Sequence, residues 1–413
     1  VERASSPSTR SSRLYLPTFD GIRGLVIVAI VLAHLRLVTN YVPNHDAPLY
    51  LARGLFASVD FLLAISAFML FLPVAASGRM GSRRAFALKR IGRIVPNYYL
   101  ALTAAVLFMT FTSFGPAKFL PAPEPTHVLW HMLFIQTPMG AAAGFGVVSV
   151  LWVLSIIVVF YLLMPLIALP FLRHPFRWIV GGLVIAVLWR AGISQSDGRL
   201  YIEFPLFLDD FVIGMGGALA YVKLRELDGV ADTLRRISIP VALVAGAALL
   251  VVMALGGRGV QLGTHIIQGE EAPISIGIAL SFVTLVVATA FMPAWAQWPL
   301  SNRFSRWLGE ISYGVFLYHI LIAQAAADIL GLRHAGNVQA FLELAAVVLP
   351  LSLLVSWVSY VTVERPMRER IRKFAERYEP TAGSVSDSSV ERRSSSSWRE
   401  APRRYRARSN ILP

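Results

Sequence analysis

Residues 19–38 read FDGIRGLVIVAIVLAHLRLV. Between Arg23 and His34 stand ten residues with no polar side chain. A helix rises about 1.5 Å per residue, so about 20 such residues cross a hydrocarbon layer roughly 30 Å thick. The stretch reads as a membrane span with a charged entrance. Segments of the same kind recur to the far end of the chain, predicted near 21–39, 55–74, 94–113, 148–170, 178–192, 204–222, 237–255, 274–292, 310–330 and 338–362. Of the 413 residues 56% are hydrophobic and only 15% charged, where a soluble domain carries about 25% charged residues. The predicted fold is therefore all-α: a polytopic transmembrane helical bundle of about ten spans, rather than two or three soluble domains.

Charge decides the orientation. With the N-terminus placed in the cytoplasm, 31 Lys and Arg fall on that side, Arg23 included. Seven fall outside: Arg36, Arg53, Lys118, Arg190, Arg199, Arg258 and Arg333. Such an asymmetry is the positive-inside pattern and predicts both termini in the cytoplasm. An eleventh span at residues 129–147, LWHMLFIQTPMGAAAGFGV, would invert every later loop, so that glycine-broken stretch is predicted to be an outer-face or re-entrant segment packed on protein. The opening VERASSPSTRSSR is polar and basic, and no small-residue cleavage site follows the first apolar run, which reads as a retained span. The expected organisation is a cytoplasmic tail over 1–18, a membrane domain over 19–370 and a basic, disordered cytoplasmic tail over 371–413.

The net charge of +14 would suit nucleic acid, but 13 of the 38 basic residues lie between Arg365 and Arg408, beyond the last span. A juxtamembrane basic tail attracts anionic membrane lipids instead, and no nucleic-acid-binding motif accompanies the charge. With no cysteine, disulfides, thiolate catalysis and thiolate metal sites are excluded.

Ionisable groups inside spans are costly and point to function. They are His34 in the first span, Asp60 in the second, Asp209 and Asp210 in the sixth, His319 in the ninth, and Glu343 towards the outer end of the tenth. Counting the helix rise from each entrance places these groups, Glu343 aside, at similar depths, from the middle to the outer half of the membrane. Each also has a plain reading as a glue between helices. At the entrance to the third span, Arg83, Arg84, Lys89, Arg90 and Arg93 crowd together, with Arg90 and Arg93 one turn apart. Arginine forks bind phosphate bidentately, although positive-inside anchoring accounts for such a cluster equally well.

Five stretches in order carry a resemblance. They are FDGIRGLVIVAIVLAHL at 19–35, ASVDFLLAISAFMLF at 57–71, LKRIGRIVPNYYLAL at 88–102, LGEISYGVFLYHILI at 308–322 and SWVSYVTVERPMRER at 356–370. Together they resemble the acyltransferase 3 family of membrane O-acyltransferases, through Asp20, Arg23 and His34, then Asp60, the Arg90–Arg93 pair, Ser312, Tyr313, Leu317 and His319, and finally Glu364, Arg365 and Pro366. One departure stands out. In LWVLSIIVVFYLLMPLI at 151–167, Ile157 and Val158 occupy the places of the family's acidic pair.

The resemblance implies acyl transfer from cytoplasmic acyl-CoA to a hydroxyl of an extracytoplasmic sugar, glycolipid or lipid at the inner (plasma) membrane, with no metal. Arg23, Arg90 and Arg93 would hold the donor's phosphates. His34 would act as base or acyl carrier, with Asp20, Asp60 and His319 around it. Asp209 or Asp210 would compensate for the missing acids. Two other readings fit the same residues: a lipid or glycolipid transporter, in which the intramembrane His and Asp line a path, and an inactive partner subunit.

Overall fold

The computed structural model describes residues 16–42, 54–55, 57–111, 124–139, 148, 150–193, 203–259 and 272–379. All regular elements among them are helical. In chain order they are α1 (Pro17–Thr39), α2 (Ser58–Ser77), α3 (Arg83–Phe111), α4 (Pro125–Met132), α5 (Trp152–Arg173), α6 (Pro175–Leu188), α7 (Leu208–Glu226), α8 (Ala231–Gly259), α9 (Ala272–Phe291), α10 (Ala294–Ser301), α11 (Arg303–Leu330), α12 (Val338–Ser359) and α13 (Arg365–Glu376). A 3-10 turn, Phe204–Phe207, leads into α7, and single π-helical turns follow α6 (Trp189–Ile193) and α12 (Tyr360–Glu364). Ten helical stretches are long and apolar enough to cross a membrane, as the hydropathy pattern predicts. The chain is a multi-pass membrane protein.

Local chemistry sets the helix ends. α1 starts on Pro17 and stops at Asn40 in the left-handed region, φ 55°. The Asn302 side chain accepts the Ser305 N–H at 2.9 Å to start α11, and Gly331, φ 67°, ends it. Asn337 caps α12 in the same way through Ala340 N–H. The glycines of the opening motif explain how α1 seats. A Cβ on Gly21 would strike the Leu300 carbonyl of α10, and one on Gly309 of α11 would strike the Asp20 carbonyl. Lipid gives helices no hydrophobic reason to associate, so backbones approach through small residues. α7 meets α2 similarly, with Gly214 over the Ala64 carbonyl.

Among the described residues, no helix long enough to cross a membrane lies between α3 and α5. α4 has eight residues, about 12 Å of helix. It docks on α3, where the Tyr98 and Tyr99 hydroxyls donate to the His131 and Met132 carbonyls, both at 2.8 Å. Gln136, fully buried, donates to the Leu151 carbonyl at 2.8 Å. The remainder of 129–147, from residue 140, lies outside the described residues, as do 1–15 and 380–413.

The last helix runs past residue 370, where the sequence placed the start of the tail. α13 continues to Glu376 because its apolar edge has a seat: Ile371 packs on Gly92 of α3, and the Lys89 and Glu379 side chains pair across the same junction. The starts of α1 and α3, the π-helical turn after α12 and α13 thus gather at one end of the bundle.

Candidate active site

Two polar clusters and a histidine pair sit in this bundle. The first cluster lies at the end where α1 and α3 begin. Arg23 donates through Nη1 to Asp20 Oδ1 at 3.3 Å and through Nη2 to the Gly309 carbonyl at 2.5 Å. Arg93, Arg368 and Glu364 lie within electrostatic reach of Arg23, and Arg90 within reach of Arg93. The Arg90 guanidinium rests over the Phe86 and Tyr161 rings at 5.5 and 5.7 Å, and its buried Nε has no hydrogen-bond partner among the described residues. Glu364, buried by the π-helical turn, accepts from Asn97 Nδ2 at 3.2 Å. Asn97 Oδ1 in turn accepts from the Tyr318 and Ser359 hydroxyls at 2.8 and 2.5 Å. This floor ties α3, α11 and α12 together beneath the histidines.

The histidine pair joins α1 to α11. The His34 and His319 rings meet edge to face with centroids 5.0 Å apart, and His319 Nε2 lies 3.4 Å from His34 Nδ1. His319 is fully buried, and its Nδ1 sits 3.0 and 2.9 Å from the Val315 and Phe316 carbonyls. A carbonyl only accepts, so that nitrogen carries the proton and Nε2 keeps its lone pair. His34 Nδ1 lies 2.8 Å from the Ile30 carbonyl and is protonated by the same reasoning. His34 Nε2 is then the basic nitrogen, without a hydrogen-bond partner among the described residues.

A family model described as an acyltransferase domain matches residues 16–361. The chain belongs to this acyltransferase family. It is 24% identical over 387 residues to the peptidoglycan O-acetyltransferase OatA of Listeria monocytogenes serovar 1/2a, strain EGD-e, covering 88% of this chain and 57% of that protein. It is 21% identical over 384 residues to the putative peptidoglycan O-acetyltransferase YrhL of Bacillus subtilis strain 168, covering 88% and 56%. The chain thus spans a little over half the length of these curated relatives. No solved structure matches it significantly.

The second cluster makes no hydrogen bond to either histidine among the described residues. Arg190 and Asp209 form a two-pronged pair, Nη1 to Oδ2 at 2.9 Å and Nη2 to Oδ1 at 3.1 Å. Ser275 Oγ lies 2.9 Å from Asp209 Oδ2 and 3.1 Å from Asp60 Oδ1. Four segments are joined: α2, the π-helical turn after α6, α7 and α9. Asp210 is buried with both carboxylate oxygens unpartnered among the described residues. None of these acids hydrogen-bonds to His34, and Asp20 is held by Arg23. Glu343, on the exposed side of α12, accepts from Gln339 at 2.7 Å.

Several residues of these polar clusters carry little signal in the sequence. Arg190 falls inside the predicted fifth span but close to its end, where an arginine passes for an interfacial anchor. Only the π-helical turn carries it inward. Ser275, Asn97 and Ser359 are ordinary polar residues in helices and give no sequence signal. The missing acidic pair has a packing counterpart: Ile157 is buried in α5, which packs on the 3-10 turn through Trp152 against Phe207 and stacks on α7 through Phe160 against Phe211 at 4.3 Å. Among the described residues no three His, Asp or Glu converge as a metal site.

Proposed function

We propose that the protein is a plasma-membrane O-acyltransferase that moves an acyl group from cytoplasmic acyl-CoA to a hydroxyl of a sugar, glycolipid or lipid of the cell envelope. The observation that carries this reading is the His34–His319 pair, which leaves His34 Nε2 as an unpartnered base about 16 Å along α1 from Arg23. The relatives' names favour an acetyl group and a peptidoglycan hydroxyl. Arg23, Arg90 and Arg93 would receive the donor's phosphates, and the thioester arm would extend along α1.

His34 Nε2 takes the acceptor hydroxyl proton as the oxygen bonds to the thioester carbonyl carbon. The carbon–sulfur bond then breaks, and the proton passes to the leaving sulfur, giving an ester and free CoA thiol. When His34 becomes imidazolium, the Ile30 carbonyl and His319 Nε2 sit where its Nδ1–H needs acceptors, which holds the ring in one orientation. The same nitrogen would be the site of attachment if His34 carried the acyl group itself.

Purified protein given acetyl-CoA labelled in the acetyl group tests the proposal. Label should appear on a muropeptide or glycan acceptor with release of CoA thiol. Transport of a lipid or glycolipid into vesicles without any thiol release would replace acyl transfer by the transporter reading.

A further inference from the structure

We propose that α13 completes the phosphate-binding site of the donor, with Arg368 as its fourth arginine. This rests on acyl-CoA as donor and extends the site beyond residue 361, where the match to the family model ends. The ligand chemistry is a polyphosphate.

Charge balance is the first argument. Arg23, Arg90, Arg93 and Arg368 share one half-buried region with two carboxylates, Asp20 and Glu364, and exposed Glu310 stands at its edge within electrostatic reach of Tyr360. Asp20 is held by Arg23, and Glu364 is held by Asn97. Neither Arg93 nor Arg368 forms a salt bridge within 4.0 Å among the described residues. With Glu310 counted as well, the four arginines still exceed the acids by one positive charge, and removal from bulk water makes such an excess costly without an anion.

The geometry of α13 is the second argument. The helix is strongly amphipathic and has two kinds of arginine. Arg365 and Arg372 are exposed and engage Glu369 and Glu376 one turn on, while Arg370 is exposed to solvent. Arg368 is half-buried, lies over the Tyr360 ring at 5.9 Å and stands within electrostatic reach of Arg23 and Glu364. Ile371, one turn from Arg368, seats on Gly92, which stands between Arg90 and Arg93 on α3. The π-helical turn at Tyr360–Glu364 adds the backbone that sets this register. An amphipathic helix lying on anionic lipid would use its exposed arginines for headgroup phosphates instead. The inward arginine is the one suited to a ligand held between helices.

The full chain in phosphatidylcholine nanodiscs, with free CoA titrated by calorimetry, tests the assignment. Arg368→Gln should weaken CoA binding about ten- to 150-fold, the range for a lost charge-assisted hydrogen bond. Arg370→Gln should leave it unchanged. Arg368→Lys keeps the charge without the planar fork and should fall between wild type and Arg368→Gln, which controls for a folding defect. Wild-type affinity in Arg368→Gln, or an equal loss in Arg370→Gln, overturns the inference and leaves the donor reading intact. No CoA binding by the wild type overturns both. An Arg368→Gln defect seen only in nanodiscs containing phosphatidylglycerol assigns Arg368 to lipid and overturns the donor-site role.

Discussion

At the scale of single residues, the site depends on which nitrogen of His34 is free. Helix carbonyls at residues 30, 315 and 316 fix the protons on both rings, so the tautomers follow from backbone geometry. His34→Ala should lower transfer by about 10²- to 10⁴-fold, the usual worth of a positioned general base. The protein should still bind CoA and accumulate normally. Full activity would remove His34 from the chemistry. His319→Ala should lower turnover with little change in CoA affinity and alter the pH profile of turnover, since His319 acts only through the His34 ring. An unchanged profile would leave His319 a packing residue. Glu203, just before the 3-10 turn into α7, gives a stability test. Burial of its carboxyl pushes its pKa up to about 7, so its charged form is better tolerated in the unfolded chain. The fold therefore loses stability as pH rises from about 4.5 towards 7. Glu203→Gln should remove that loss, raising Tm at pH 8 and changing little at pH 4.5. Equal shifts at both pH values would count against it.

At the scale of elements, the two π-helical turns do what ordinary helix cannot. Each widens the backbone by one residue and swings an ionisable side chain inward, Arg190 in one and Glu364 in the other. No pattern of apolar residues announces such a turn, so in the sequence Arg190 reads as an outer-face anchor while Asp60 and Asp209 read as costly residues. The sequence expectation is that Asp209 or Asp210 compensates for the missing acids, and the network separates the two. Asp209 is committed to Arg190, so a role in place of the acidic pair absent at Ile157 and Val158 would fall to Asp210, beside the Phe211 that stacks on α5. Asp209→Asn should destabilise the protein by about 3–5 kcal/mol in detergent unfolding, because Arg190 loses its partner in a buried site. Asp210→Asn should keep abundance and stability but lose transfer. Wild-type transfer in Asp210→Asn would end the compensation idea.

At the scale of the whole molecule, orientation is open to direct test. The turn after α2 contains exposed Arg79, and the native chain lacks cysteine. With the positive-inside orientation, Arg79→Cys should resist an impermeant maleimide in intact cells and react once the membrane is opened. Labelling in intact cells would invert the topology and move the arginine cluster to the outer face. Such an outcome would also remove cytoplasmic acyl-CoA as the donor for that cluster.

Taken alone, the sequence determined the number and placement of the spans and the costly residues inside the bilayer. Those properties follow from local composition: a run of about 20 apolar residues must be a helix in lipid, and a buried charge is expensive wherever it stands. Which of the costly residues meet was decided only by the tertiary structure. His34 and His319 are 285 positions apart, and Ser275 reaches Asp60 across 215. Such meetings depend on helix rotation, on glycine seats such as Gly21 and Gly309, and on the extra residue of a π-helical turn. Side-chain identity is written in the chain, but helix rotation is set by packing against neighbours.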